Sequence, residues 1–455
     1  MASPNDDRVV KGGYWYCDNK LPTPVASIPS NNFTHLFAAF AEVNPTTYEV
    51  TFPEEHREQF STFTLTVQGI NPDVTTLLSI GETGVSTTST FASLASHFNT
   101  RKSFINSSIS LARSYDFHGL SLHWLYPSTK EEMANLGSLL LEWGAAVKHE
   151  SELTGNDKLL LVAAVYYRPT YRTFLYPVDA IAGSLDWINL VAYDFYNPAL
   201  SWNATGPFAA LYNGHIHEII PRSADHGIIE WSQSKVTATR IVLGLPFYGA
   251  AWLLDLDIDL EDSTRTDIFA PAEGPADGQA DGVYVDPSDG TILYNQIKYF
   301  EERHPEGIQE YSADYVVDYF SAENIWIGYD DIKSITAKVK DAKNEFKLLG
   351  YYAWHVGGDR QGILSITAFE AWDALALGPA PEPELELAPA TALAPAPAQA
   401  PALGPTLELA PAPTLAPAPA PAQALAPAPA PTLAPAPTPV TRIRSSSIRY
   451  QPKGK

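Results

Sequence analysis

The chain has 455 residues, 45% of them hydrophobic and 11% aromatic, enough to bury one large core or two to three average domains. A formal net charge of −23 excludes nucleic acid as a partner and sets the chain against anionic membrane surfaces. The single cysteine, Cys17, excludes an intrachain disulfide and any cysteine-based zinc site, and reads as a small buried residue.

Met1–Lys11 reads MASPNDDRVVK, without the apolar stretch of a signal peptide, and nothing later reaches membrane-spanning length. Taken as it stands the chain is cytoplasmic; a missing leader would change that, so the compartment stays open. Strands are predicted at Val9–Trp15, Phe33–Val43, Val74–Gly81, Phe117–Leu125, Leu159–Tyr166, Leu185–Phe195, Ile241–Gly249 and Leu348–Val356. Several are almost continuously apolar, as parallel strands buried on both faces must be. Helical patterns fall between them, at Arg101–Ser114 and at Lys130–His149, where Met133, Leu136, Leu140, Trp143 and Val147 recur at three- and four-residue spacing. Eight strands alternating with helices imply an α/β fold, a closed (β/α)8 barrel over 8–250 and 345–377. An open doubly wound sheet is the alternative, disfavoured because no glycine-rich phosphate turn follows a strand.

The seventh and eighth strands are separated by about a hundred residues, too many for a loop. An inserted α+β module is therefore expected over 251–344, with elements at Ile325–Tyr329 and Asp331–Phe346. About half of the 38 prolines lie beyond Gly378, in Ala-Pro and Thr-Leu-Ala-Pro units. Alternating proline fixes φ and removes amide donors, so 378–455 is expected to be a disordered, extended tail with a basic end. That tail resembles plant arabinogalactan glycomodules, with a passive spacer as the plainer reading. Sequons stand at Asn32, Asn106 and Asn203, and Ser445–Ser447 lie beside Arg442 and Arg444 as a basic phosphorylation candidate.

The fourth predicted strand, Phe117-His118-Gly119-Leu120-Ser121-Leu122-His123-Trp124-Leu125-Tyr126-Pro127, resembles the signature strand of glycoside hydrolase family 18, D-G-x-D-x-D-x-E followed by Tyr-Pro. Further matches occur in family order: Lys11–Trp15, Phe33–Ala41, Leu78–Gly81, Asp186–Tyr196, Leu243–Gly249 and Gly350–His355. Together they span about Arg8 to Leu377 and point to the plant class V chitinases, whose members are usually extracellular or vacuolar. The resemblance implies a barrel acting on chitin by a substrate-assisted mechanism. In it the glutamate protonates the glycosidic oxygen and the middle aspartate orients the substrate's acetamido group.

Here the acidic positions are Ser121, His123 and Leu125. These share one strand face, successive members roughly 6–7 Å apart. Leucine has no proton to give, and a lost general acid alone costs on the order of 10²–10⁴ in rate. The expectation is a degenerate, non-hydrolysing protein with no catalytic residue, in which Leu125 is barrel filler and His123 is open to a sugar contact.

Sugar rings stack apolar C–H faces on aromatic rings while their polar groups need fixed partners. By resemblance, Trp354 forms the floor of the central subsite, Tyr14, Phe40, Tyr193 and Tyr248 line it, and Asp194 faces the acetamido group; Tyr196 and Trp252 are weaker candidates. Two departures alter the pocket: Val191 replaces a usual methionine, and Glu82 a usual glycine. The function read from this is lectin-like binding of N-acetylglucosamine oligosaccharides. The alternatives are a weak glycosidase using Glu82 or His123, and a protein-binding or storage role. No cofactor or metal cluster is evident; His215 and His217 have ligand-like spacing but no acidic partners, and read as surface histidines. Oligomeric state is not legible.

Overall fold

The computed structural model describes residues 9–17, 20–81, 88–214, 221–256, 267–276 and 282–374. Glu82, His215, His217 and the Ala-Pro tail lie outside the described residues, and so do the expectations attached to them. Eight parallel strands form a closed ring: β1 (Val10–Tyr16), β2 (His35–Val43), β3 (Thr75–Gly81), β4 (Gly119–His123), β5 (Leu160–Tyr166), β6 (Trp187–Val191), β7 (Ile241–Pro246) and, after a long excursion, β14 (Gly350–Trp354). Closure comes from β1 pairing with both β2 and β14, with Gly12 opposite His35 and Val10 opposite Gly350. Glycine at 350 is forced by that last contact, since a Cβ there would lie 1.8 Å from the Val10 carbonyl oxygen.

Helices flank the ring. Two of the longest are α1 (Phe98–Ser114) and α2 (Lys130–Thr154). The Thr129 hydroxyl caps α2 by accepting from the Glu132 amide at 3.1 Å, and Gly155, at φ 75°, ends it. Two partly buried, bidentate ion pairs tie α1 to α2: Arg101 on Glu142 at 2.9 and 2.7 Å, and Arg113 on Glu150 at 3.1 and 2.7 Å. Both predicted helices exist, each slightly longer than the periodicity showed.

The excursion carries a second, antiparallel sheet of β8 (Tyr248–Leu254), β9 (Ala272–Pro275), β10 (Thr291–Leu293), β11 (Ile308–Ser312), β12 (Val317–Ala322) and β13 (Ile325–Tyr329). Its core includes Trp252 against Trp326, edge to face at 5.3 Å; Trp252, a weaker sugar candidate, is thus spent on packing. Helix α3 (Tyr294–Arg303) follows β10, and α4 (Ile332–Asn344) follows β13. A capping box starts α4, with Asp331 and Ser334 exchanging side-chain and backbone bonds. Although α4 falls within the expected 251–344 module, it packs against α5 (Ile363–Asp373) and stands beside β14, as a barrel helix does. Its apolar stripe, Ile335, Val339 and Ala342, is what commits it to that neighbour.

Strand ends differ from the sequence reading where the chain turns into the site. The sixth strand stops at Val191 rather than Phe195, and beyond it Asp194 takes a left-handed conformation at φ 61°. The seventh stops at Pro246, and Tyr248 already belongs to the antiparallel sheet.

Candidate carbohydrate-binding site

A cavity of about 500 Å³ opens at the C-terminal ends of the barrel strands, where barrel sites form. Of the residues expected there, His123, Leu125, Tyr193, Asp194, Tyr248 and Trp354 line it. Tyr14 and Phe40 do not. Each lies behind the lining: Tyr14 is in the barrel interior, edge-on to Trp354 at 5.2 Å, and Phe40 packs on His123 and Trp354 at 4.7 and 5.7 Å. They fix the floor from below. Tyr196 is buried and lies outside the lining as well.

The three positions of the broken row have separate fates. Ser121 is fully buried; its hydroxyl stands 3.4 Å from the Tyr14 hydroxyl, which accepts from the Asn189 amide at 2.8 Å. The Asn189 oxygen accepts in turn from the Trp187 indole at 2.9 Å. Burial pushes the Tyr14 phenol up to about 12, so it remains a neutral member of this chain of hydrogen bonds. His123 lies one layer higher, its ring 20° from parallel to the Trp354 indole with centroids 5.6 Å apart. Gly81 makes room for it, because a Cβ there would fall 2.6 Å from the His123 Cβ and 2.5 Å from its carbonyl oxygen. Leu125 reaches the cavity wall, its carbonyl accepting from the Tyr176 hydroxyl.

Asp194 is one of the carboxyls that line the cavity. Tyr248 donates its hydroxyl to Asp194 Oδ1 at 2.7 Å. Burial drives the Asp194 pKa up to about 6; the Tyr248 bond opposes that shift and the Asp289 charge adds to it. Tyr193 and Tyr248 have phenols raised well above the ordinary value, again chiefly by burial, and Tyr193 shares a 3.1 Å hydrogen bond with Tyr352. These groups are neutral hydrogen-bonding partners at any ordinary pH.

Sequence reasoning missed much of the rim. Tyr16, Tyr126, Asn197 and His355 line the cavity, and so do Tyr284, Asp286 and Asp289 from the segment between β9 and β10. Tyr126 was within reach, because it follows the broken motif directly. The β9–β10 residues have no motif; only three-dimensional folding brings them over the barrel. Among the described residues no group of three or more His, Cys, Asp or Glu side chains is placed to hold a metal ion, and no helix is long and apolar enough to cross a membrane.

Chemically, the cavity offers aromatic faces, neutral phenols and one carboxyl of raised pKa, and no carboxyl from β4. It can stack and hydrogen-bond a sugar. Leu125, at the position of the family's acid, has no proton to give.

Comparison with known proteins agrees with this geometry. The family model "Glycosyl hydrolases family 18" matches residues 9–359. A class V chitinase of Arabidopsis thaliana is 46% identical over 366 residues, 80% of this chain and 90% of that protein. Among solved structures, a mutant class V chitinase from Nicotiana tobaccum in complex with NAG4 is 40% identical, with a TM-score of 0.74 over 81% of this chain and 99% of that one. A chitinase-like agglutinin from Robinia pseudoacacia is 41% identical, with a TM-score of 0.69 over 80% and 99%.

Proposed function

The chain belongs to glycosyl hydrolase family 18, as its plant class V chitinase relatives do, and from that premise we propose that it binds N-acetylglucosamine oligosaccharides without hydrolysing them. One observation carries the reading: the cavity keeps its indole floor and its Tyr248–Asp194 pair while a leucine stands in the wall at the position of the acid. Trp354 presents a face for a pyranose ring, and Asp194 with Tyr248 offers an acceptor for an acetamide N–H. The substrate-assisted mechanism needs a proton at the glycosidic oxygen as the acetamido group attacks C1. Leu125 supplies none, and an imidazolium at His123 would oppose the positive charge that develops on the sugar.

The test is calorimetry with chitotetraose, run beside a hydrolysis assay on a chromogenic chitooligosaccharide. Binding is expected, with turnover at least a hundredfold below that of a variant carrying Ser121→Asp, His123→Asp and Leu125→Glu. Absence of heat at millimolar ligand would end the binding claim, and wild-type turnover within about tenfold of the restored variant would end the claim of inactivity.

A second reading, a protein-binding or storage role, has one observation in its favour. Trp354 is only 8% exposed, and the His123 ring covers part of it. His123→Ala separates the two: uncovering the indole strengthens glycan binding if the cavity is a sugar site, and leaves it absent if the site has been given up.

A further inference from the structure

We propose that Lys20 straps one end of the cavity shut, and that the groove beyond the strap is an additional subsite for the same oligosaccharide, open only when the strap releases. This rests on the glycan reading above. Lys20 lies between β1 and β2, whereas Tyr284 and Asp286 lie between β9 and β10. The Lys20 ammonium donates to the Tyr284 hydroxyl at 2.8 Å and to Asp286 Oδ2 at 3.3 Å, and the Tyr284 hydroxyl donates to the same carboxylate oxygen at 3.4 Å. Residues more than 260 positions apart are thereby joined across the rim.

What lies on either side gives the strap its meaning. Inward, Lys20, Leu21, Tyr284 and Asp286 all line the cavity. Outward, a groove of about 620 Å³ begins at the same Leu21 and continues along Thr23, Asn295, Gln296 and Gly357. The two spaces share Leu21 and touch consecutive residues of the chain, His355 inside and Val356 outside. The outer wall also braces the strap, since the Tyr284 amide donates to Gln296 Oε1 at 3.3 Å. Amide and hydroxyl side chains beside proline rings suit a pyranose, which presents polar edges and apolar faces to its site. A short oligomer ends at the strap. A longer one must displace Lys20 to go further.

The strap is built to open. Lys20 is 63% exposed and Asp286 28%, and exposed ion pairs are weak and screened by salt. The experiment measures affinities for the trimer and hexamer of N-acetylglucosamine by calorimetry, with wild type, Lys20→Met and Asp286→Asn at low salt and wild type again at about 1 M salt. The expected result is a hexamer-to-trimer affinity ratio that rises about fivefold in each variant and moves the same way for wild type in salt. An unchanged ratio overturns the outer subsite. Amide exchange over 282–293, measured without ligand, tests the strap itself: faster exchange in Lys20→Met supports it and equal exchange refutes it. If no form binds either oligomer, the glycan reading and the outer subsite fall together, and exchange alone decides whether the strap exists.

Discussion

Asp194→Asn isolates the cost of holding a carboxylate in the cavity. Burial lifts the Asp194 pKa from 3.8 to about 6, a shift of some two units at about 1.4 kcal/mol each. The folded state therefore binds this proton more tightly than the unfolded chain does. The group costs nothing below the unfolded value of 3.8, and its penalty grows as pH rises through the folded value near 6 and is then constant. Asparagine never ionises and can still accept the Tyr248 hydroxyl. The variant should gain stability on wild type across pH 4 to 6 and hold a plateau of at most about 3 kcal/mol above it, less whatever the cavity's contact with water screens. Denaturant midpoints of both proteins at half-unit intervals from pH 4.5 to 8 read this directly. A stability difference that does not change with pH would refute the argument, because a fixed offset reflects packing rather than ionisation.

Other changes separate floor, frame and ionisation. Trp354→Ala should weaken oligosaccharide binding at least tenfold in calorimetry, since it removes a stacking face and leaves Tyr14, Phe40 and His123 without their common neighbour. Lys338→Met should destabilise by about 3–5 kcal/mol in denaturant unfolding, because Asp330, fully buried and 2.6 Å from the ammonium, is left without its counter-charge. Adding Asp330→Asn should recover most of that loss. Glycan affinity should fall with acidity if the acetamide bonds to ionised Asp194, by about tenfold one unit below its pKa near 6, and the Asp194→Asn protein should lack that dependence.

The barrel was legible because its strands are buried on both faces, which leaves continuous apolar runs with few rival readings. Helices α1 and α2 were legible through their spacing. Helix α4 was recognised as a helix and assigned to the inserted module, because a stripe such as Ile335, Val339 and Ala342 states that a helix is covered and not what covers it. Leu125 could be read as a lost acid from position in a motif. Tyr14 and Phe40 could not be separated from lining residues, because strand order gives the face of a side chain but not its depth in the barrel. The rim was the least legible: Tyr284, Asp286 and Asp289 reach the cavity through a loop of the second sheet, a contact between segments that no local pattern encodes.

The hydrogen-bonded line from Trp187 through Asn189 and Tyr14 to Ser121 bears on how the cavity could be re-engineered. Glutamate placed at 125 alone would add an acid to a wall whose lower positions hold a small hydroxyl and an imidazole. Aspartate at 121 would bring an anion into the sealed centre of the ring, a burden until its neighbours above were also replaced. An acidic row would therefore have to be introduced as a set, with the neighbours of position 121 changed alongside it.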